Sequence, residues 1–247
     1  MLDLPLTSPL MNAAGTLGFA PHSRLIDLSP LGGFVTNPIS RAPRTPAAGT
    51  RFIPFHGGAV IHTGHPNPGL RAILKTQAPH WSRAALPVIV HLLAETPDDV
   101  YRMVRQLEET EGVAGIELGL PPAAGAAFAR EAVQAAIGEL PLVVKLGLED
   151  APRLAAELQG EGVSAFTLGA PRGALPDRAG KLVGGRVLGG AVLALGVEVL
   201  RGLVPLGTPI IFGAGVQDKS QMALVLELGA AAVQLDTSIW RTGKIAL

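Results

Sequence analysis

The chain has 247 residues, enough to bury a large core and a length that an α/β barrel commonly fills as one domain. Its 20 basic and 20 acidic residues cancel and charged residues make up only 16%, so there is no broad electrostatic footprint for nucleic acid or anionic lipid and a small or neutral partner is expected. With no cysteine the chain offers no disulfide, no thiolate nucleophile and no Cys-ligated cluster, which places any one-electron partner elsewhere.

From the N-terminus, "MLDLPLTSPL" lacks the basic stretch and continuous apolar core of a signal peptide, and a cytoplasmic location is expected. The mean hydropathy of +0.37 comes from apolar runs of about five to eight residues, well short of a bilayer span. These runs are "PLMNA" (9–13), "GFVTN" (33–37), "PVIVHLL" (87–93), "GIELGL" (115–120), "PLVVKLG" (141–147), "VSAFTLG" (163–169), "PIIFG" (209–213) and "AAVQLD" (231–236). Their length and β-branched content predict strands buried on both faces. Amphipathic stretches lie between most of them. "TPDDVYRMVRQLEETEG" opens with a Thr cap, Pro at the first position and acids in the first turn, with "EETEG" as its solvated end, and "DKSQMALVLELG" closes on a Gly stop signal.

Eight strand signals with helices between them predict a single (β/α)8 barrel over residues 1–247; a doubly wound open sheet is the alternative with the same local pattern. The interval 38–86, rich in Gly, Pro and His, is too long for an ordinary βα connection and is expected to lie as an extended loop over the barrel mouth. At the other end, "SIWRTGKIAL" allows at most a brief final helix, leaving apolar barrel surface for a second copy, as a homodimer, or for a partner subunit.

In a barrel the working residues project from the C-terminal strand ends. Read there, "MNAAGTLGF", "GGFVTNPISRAPRTPAAGTRF", "HPNPGL", "IEL", "VVKL", "PIIFGAGV" and "GAAAVQLDTS" fall in the order and near the spacing of one family. With the paired Arg44 and Arg51 in a proline-rich loop, this set resembles the dihydroorotate dehydrogenase family of FMN-dependent TIM barrels, over nearly the whole chain. The resemblance implies an oxidoreductase acting on a small molecule, with FMN against Ala13, Ala14 and Gly15 after the first strand and beside Thr36 and Asn37. It also implies a flavin phosphate on main-chain amides at Gly189, Gly190, Ala214, Gly215, Thr237 and Ser238, where small residues and helix starts form an anion nest. The same glycines are what any tight βα turn requires.

Lys145 sits in the apolar strand "LVVKLGL", where an ammonium needs a partner or an open end to offset its desolvation. The resemblance gives it the flavin ring edge, where positive charge stabilises the reduced cofactor. A Schiff-base nucleophile, as in barrel aldolases, is the other chemistry open to it.

The family's usual catalytic side chain is missing. Gly119 stands where an asparagine is expected, and no side chain from Gly119 to Ala129 accepts a proton. Asn37 replaces a lysine after strand two, Ile61 takes the place of a substrate amide, and "TLGAPRG" has no asparagine after strand six. Among substitutes, His91 near the end of strand three could act as a base or could be a hydrogen-bonded barrel residue. His62 and His65 belong to "HGGAVIHTGH", whose flexible spacing without a nearby carboxylate predicts solvated loop histidines and no metal site. Asp236 replaces a glycine beside the implied phosphate; its carboxylate either turns away to cap the next helix or fills the phosphate position. Two functions are therefore expected to compete: an FMN-dependent oxidoreductase with an altered substrate or reduced activity, and a catalytically silent barrel serving as a binding or subunit-interaction module.

Overall fold

The computed structural model describes residues 4–22 and 26–242. In chain order its strands are β1 (Leu10–Asn12), β2 (Phe34–Val35), β3 (Phe52–Phe55), β4 (Gly58–Ile61), β5 (Val88–Leu93), β6 (Val113–Gly119), β7 (Leu142–Gly147), β8 (Ala165–Gly169), β9 (Arg172–Pro176), β10 (Leu182–Leu188), β11 (Ile210–Phe212) and β12 (Ala232–Leu235). Its helices are α1 (Leu70–Trp81), α2 (Pro97–Glu108), α3 (Ala126–Ala136), α4 (Ala151–Leu158), α5 (Leu193–Leu203), α6 (Lys219–Glu227) and α7 (Ser238–Thr242).

All eight apolar runs become strands of one parallel sheet, ordered β1-β12-β11-β8-β7-β6-β5-β2. A parallel bridge between Met11 and Gly33 joins the two ends of that order, which selects the (β/α)8 barrel over the open sheet. The helices form where their signals lie. Thr96 Oγ1 accepts the Asp99 N–H at 3.1 Å to start α2, and α2 buries Val100, Met103, Val104 and Leu107, the three-and-four spacing of one helical face. Asp218 caps α6 through the Gln221 N–H at 2.9 Å. The short final helix is α7; residues 243–247 of the stretch that predicted it lie outside the described residues. Among the described residues no helix is long and apolar enough to cross a membrane.

The interval 38–86 is more ordered than the extended loop expected from its composition. It holds the hairpin β3–β4 and then α1. The hairpin joins β9 and β10, which follow the sixth barrel strand, in a four-stranded antiparallel sheet ordered β3-β4-β10-β9. Its strands "FIPF", "RGALP" and "LVGGRVL" are interrupted by Pro, Gly and Arg and alternate between exposed and half-buried positions. They carry no buried-strand signal, which is why the pattern of long apolar runs misses them.

Alternation along the strands layers the barrel interior. Met11, Val35, Ile89, Val143, Ala165, Ile211 and Ala232 form an apolar floor, plugged by Leu4. Two residues further along five of those strands stand His91, Glu117, Lys145, Thr167 and Gln234, a polar layer beneath the mouth.

The seam between β1 and β2 depends on one side chain. Fully buried Asn12 accepts the Val35 N–H through Oδ1 at 2.9 Å and donates from Nδ2 to the Val35 carbonyl at 2.7 Å. Asn12→Ala strands both main-chain groups without water, so it should cost about 2–4 kcal/mol of stability. A lowered urea midpoint with an unchanged slope checks this.

Candidate active site

The polar layer is organised around Glu117, whose side chain is 1% exposed. Its Oε2 lies 3.0 Å from His91 Nδ1. On the other oxygen, Gln234 Nε2 donates to Oε1 at 2.8 Å and the Lys145 ammonium lies 3.5 Å away. Lys145 also donates to Gln234 Oε1 at 2.9 Å. Four strands thus contribute to one hydrogen-bonded cluster. Burial alone would raise the Glu117 pKa, but the Lys145 charge, the His91 and Gln234 hydrogen bonds and the His91 charge overcome it and hold the group down to about 2. For His91 burial is the larger influence and lowers its pKa against the pull of Glu117.

The protonation pattern follows. Glu117 is a carboxylate, His91 is a neutral imidazole whose Nδ1–H donates to it, and Nε2 carries the free lone pair. That nitrogen faces Gly119: a Cβ there would stand 2.6 Å from Nε2. The glycine in place of an asparagine therefore gives the ring its room. Thr36 Oγ1 fixes the same strand by accepting the His91 N–H at 3.0 Å.

Arg186, from β10, reaches across the mouth to donate to Glu149 Oε1 at 3.0 Å and the Ala170 carbonyl at 2.9 Å. His65, in the left-handed region at φ 53°, faces the same space. Desolvation, followed by the positive charges of His91, Arg44, Arg186 and His62, pulls its pKa down to about 4, so it is not the freely solvated histidine expected of that loop; His62 is exposed. Arg44 pairs with Glu95 and Arg51 donates to the Ala47 carbonyl at 2.7 Å, so this arginine pair braces the loop. Among the described residues no group of three or more His, Asp or Glu could hold a metal.

The residues expected to hold a cofactor fall into two groups. Ala13, Ala14 and Gly15 line the end of β1, with Gly15 at φ 90°. Asn37 is committed to that turn, accepting the Gly18 N–H at 3.1 Å. On the far side, the Gly189–Gly190 and Ala214–Gly215 turns lock together: a Cβ on Gly215 would lie 2.5 Å from the Gly189 carbonyl oxygen, and one on Gly189 would lie 2.7 Å from that of Gly57. Thr237 and Ser238 follow β12 beside them. Asp236, 3% exposed, turns into this cradle. Its Oδ1 accepts the Thr237 N–H and the Thr237 hydroxyl at 3.0 Å, and the Gly189 amide bears on the same carboxylate. Burial raises its pKa against those donors. The ring end of the site, with its small residues and the Lys145 ammonium, fits a flavin. The tail end does not fit the phosphate of FMN, because a carboxylate already draws on the amides that a phosphate needs.

No family model matches the chain. It is 30% identical over 180 residues to the catalytic subunit of dihydroorotate dehydrogenase B (NAD(+)) from Desulforudis audaxviator, covering 67% of this chain and 59% of that protein. It is 31% identical over 121 residues to the same subunit from Pelobacter propionicus, covering 49% and 40%. The chain belongs to the dihydroorotate dehydrogenase family. Its matches span less than two thirds of the length of those subunits. The fold agrees with the crystal structure of dihydroorotate dehydrogenase from Eimeria tenella in complex with ferulenol: TM-score 0.77 at 15% identity, over 96% of this chain and 77% of that one.

Sequence reading singled out His91 and Lys145 of this family member but gave no role to Glu117 or Gln234. The available signal was their position two residues beyond the apolar floor, on the same inward face. Glu117 also sets an acid limit on stability. Its folded pKa lies below the unfolded value, so its contribution is complete above about pH 5 and is lost as pH falls towards 2. Glu117→Gln should be less stable near neutrality and should flatten the pH dependence between those limits, as urea unfolding at stepped pH would show.

Proposed function

We propose that this barrel is a flavin-dependent oxidoreductase whose substrate is a small planar molecule other than dihydroorotate. Lys145 carries the reading: its ammonium is 21% exposed, braced by Gln234 and Glu117 at the mouth. A flavin bound there supplies the two-electron acceptor, and FMN is expected to bind weakly because of Asp236. The fixed ammonium favours negative charge at the ring edge. His91 Nε2 accepts a proton from substrate, and the resulting imidazolium is stabilised by the Glu117 carboxylate at Nδ1. The base thus sits on β5, since the loop after β6 has none.

The second reading, a barrel that binds without turnover, draws on that same baseless loop and on Asp236. Purified protein with flavin absorbance supports the first reading; a colourless protein that ignores added flavin supports the second.

With a dye acceptor, dihydroorotate turnover should fall about a hundredfold or more below that of an ordinary family member, the usual worth of a positioned base. His91→Gln should remove what remains. Ordinary turnover would place the chemistry elsewhere. In the flavin-loaded protein, Lys145→Met should lower the reduction potential while Lys145→Arg retains more of the wild-type value. Equal potentials in wild type and the Met variant would remove Lys145 from the flavin.

A further inference from the structure

Asp236 does more than obstruct. Its Oδ1 is satisfied by Thr237, but Oδ2 is buried with no hydrogen-bond partner among the described residues. The Gly189 amide acts on the carboxylate without completing a bond to that oxygen. A buried carboxylate oxygen lacking a donor is costly to leave so, and each such atom in a folded protein calls for an explanation. The walls do not relax to supply one. Gly189 and Gly215 are already in contact closer than a side chain would permit, and Gly189 rests on Gly57 and Gly58. What Oδ2 lacks is a donor from outside the chain.

This requirement separates two kinds of ligand end. A phosphate dianion offers acceptors and negative charge, and next to a carboxylate it is repelled. A hydroxyl offers a hydrogen to the unsatisfied oxygen and no charge. Dinucleotide-binding folds make the same distinction, where an acidic side chain takes a ribose hydroxyl and an arginine accommodates the phosphate at that position.

We propose that Asp236 turns the tail end of this site from a phosphate subsite into a hydroxyl subsite, so that the chain takes a flavin whose ribityl chain ends in a free hydroxyl, riboflavin, in preference to FMN. This rests on the flavin reading above. The hydroxyl donates to Asp236 Oδ2, while Oδ1 keeps its bonds to Thr237. No covalent step is involved.

Fluorescence titration of wild type, Asp236→Asn and Asp236→Gly with riboflavin and with FMN tests this, alongside thermal melting of each protein with and without inorganic phosphate. Wild type should bind riboflavin at least tenfold more tightly than FMN. Asp236→Gly should reverse the order, and Asp236→Asn, which keeps the shape without the charge, should gain FMN affinity. Phosphate should raise the melting temperature of Asp236→Gly and leave wild type unchanged. Wild type binding FMN as tightly as riboflavin, or variants that gain nothing for FMN, would overturn the proposal. If no protein binds either flavin, the flavin reading falls and the riboflavin preference with it. The phosphate arm then still judges the position: stabilisation of Asp236→Gly alone supports Asp236 as the occupant of a phosphate subsite, and no stabilisation removes that assignment.

Discussion

One buried negative charge organises this protein. Glu117 projects into a barrel interior whose lower half is wholly apolar, and a carboxylate there is tolerable only if its lone pairs are filled. His91, Gln234 and Lys145 fill them from three other strands. The consequence runs in both directions. The partners keep Glu117 ionised, and Glu117 in turn fixes the imidazole tautomer, orients the glutamine amide and holds the lysine at the mouth rather than in solvent. The reactive groups of the mouth are thus set by the requirements of one carboxylate, and none of the four could be exchanged without leaving another unpaired.

The barrel was legible because its strands are buried on both faces and read as unbroken apolar runs. The antiparallel sheet at the mouth was not, since half-exposed strands containing Pro, Gly and Arg look like loop. In the site, His91 and Lys145 were visible as polar residues inside apolar runs. Glu117 lies in a run just as apolar, but its importance comes from contacts with residues 26, 28 and 117 positions away in sequence, and such distances are supplied only by closure of the barrel. Asp236 shows a different limit. Its presence where a glycine is usual could be read directly, but the direction of its carboxylate depends on how the Gly189 and Gly215 turns pack beside it.

The departures from the family pattern form two sets with different physical results. At Gly119 the loss of a side chain creates space that the His91 ring uses, so one group's absence is coupled to another's placement. At Asp236 the gain of a side chain consumes donors that a bound anion would use. The ring end of the site keeps small residues and a cation, and the tail end has acquired an internal anion. Binding and chemistry have therefore been altered at opposite ends of the same mouth, and the tightly interlocked glycine turns leave little scope for one end to adjust to the other.

The antiparallel sheet at the mouth pairs Ile61 with Arg186, strands drawn from early and late in the chain. Loop-closure entropy makes such pairings slow to form. As the polypeptide leaves the ribosome, the β3–β4 hairpin must wait, one edge unpaired, until half of the barrel and then β10 have been made. An unpaired edge is a template for any passing strand. The roof of this barrel is therefore the last section to be assembled, and the interval before Arg186 arrives is when the nascent chain is most exposed to aggregation.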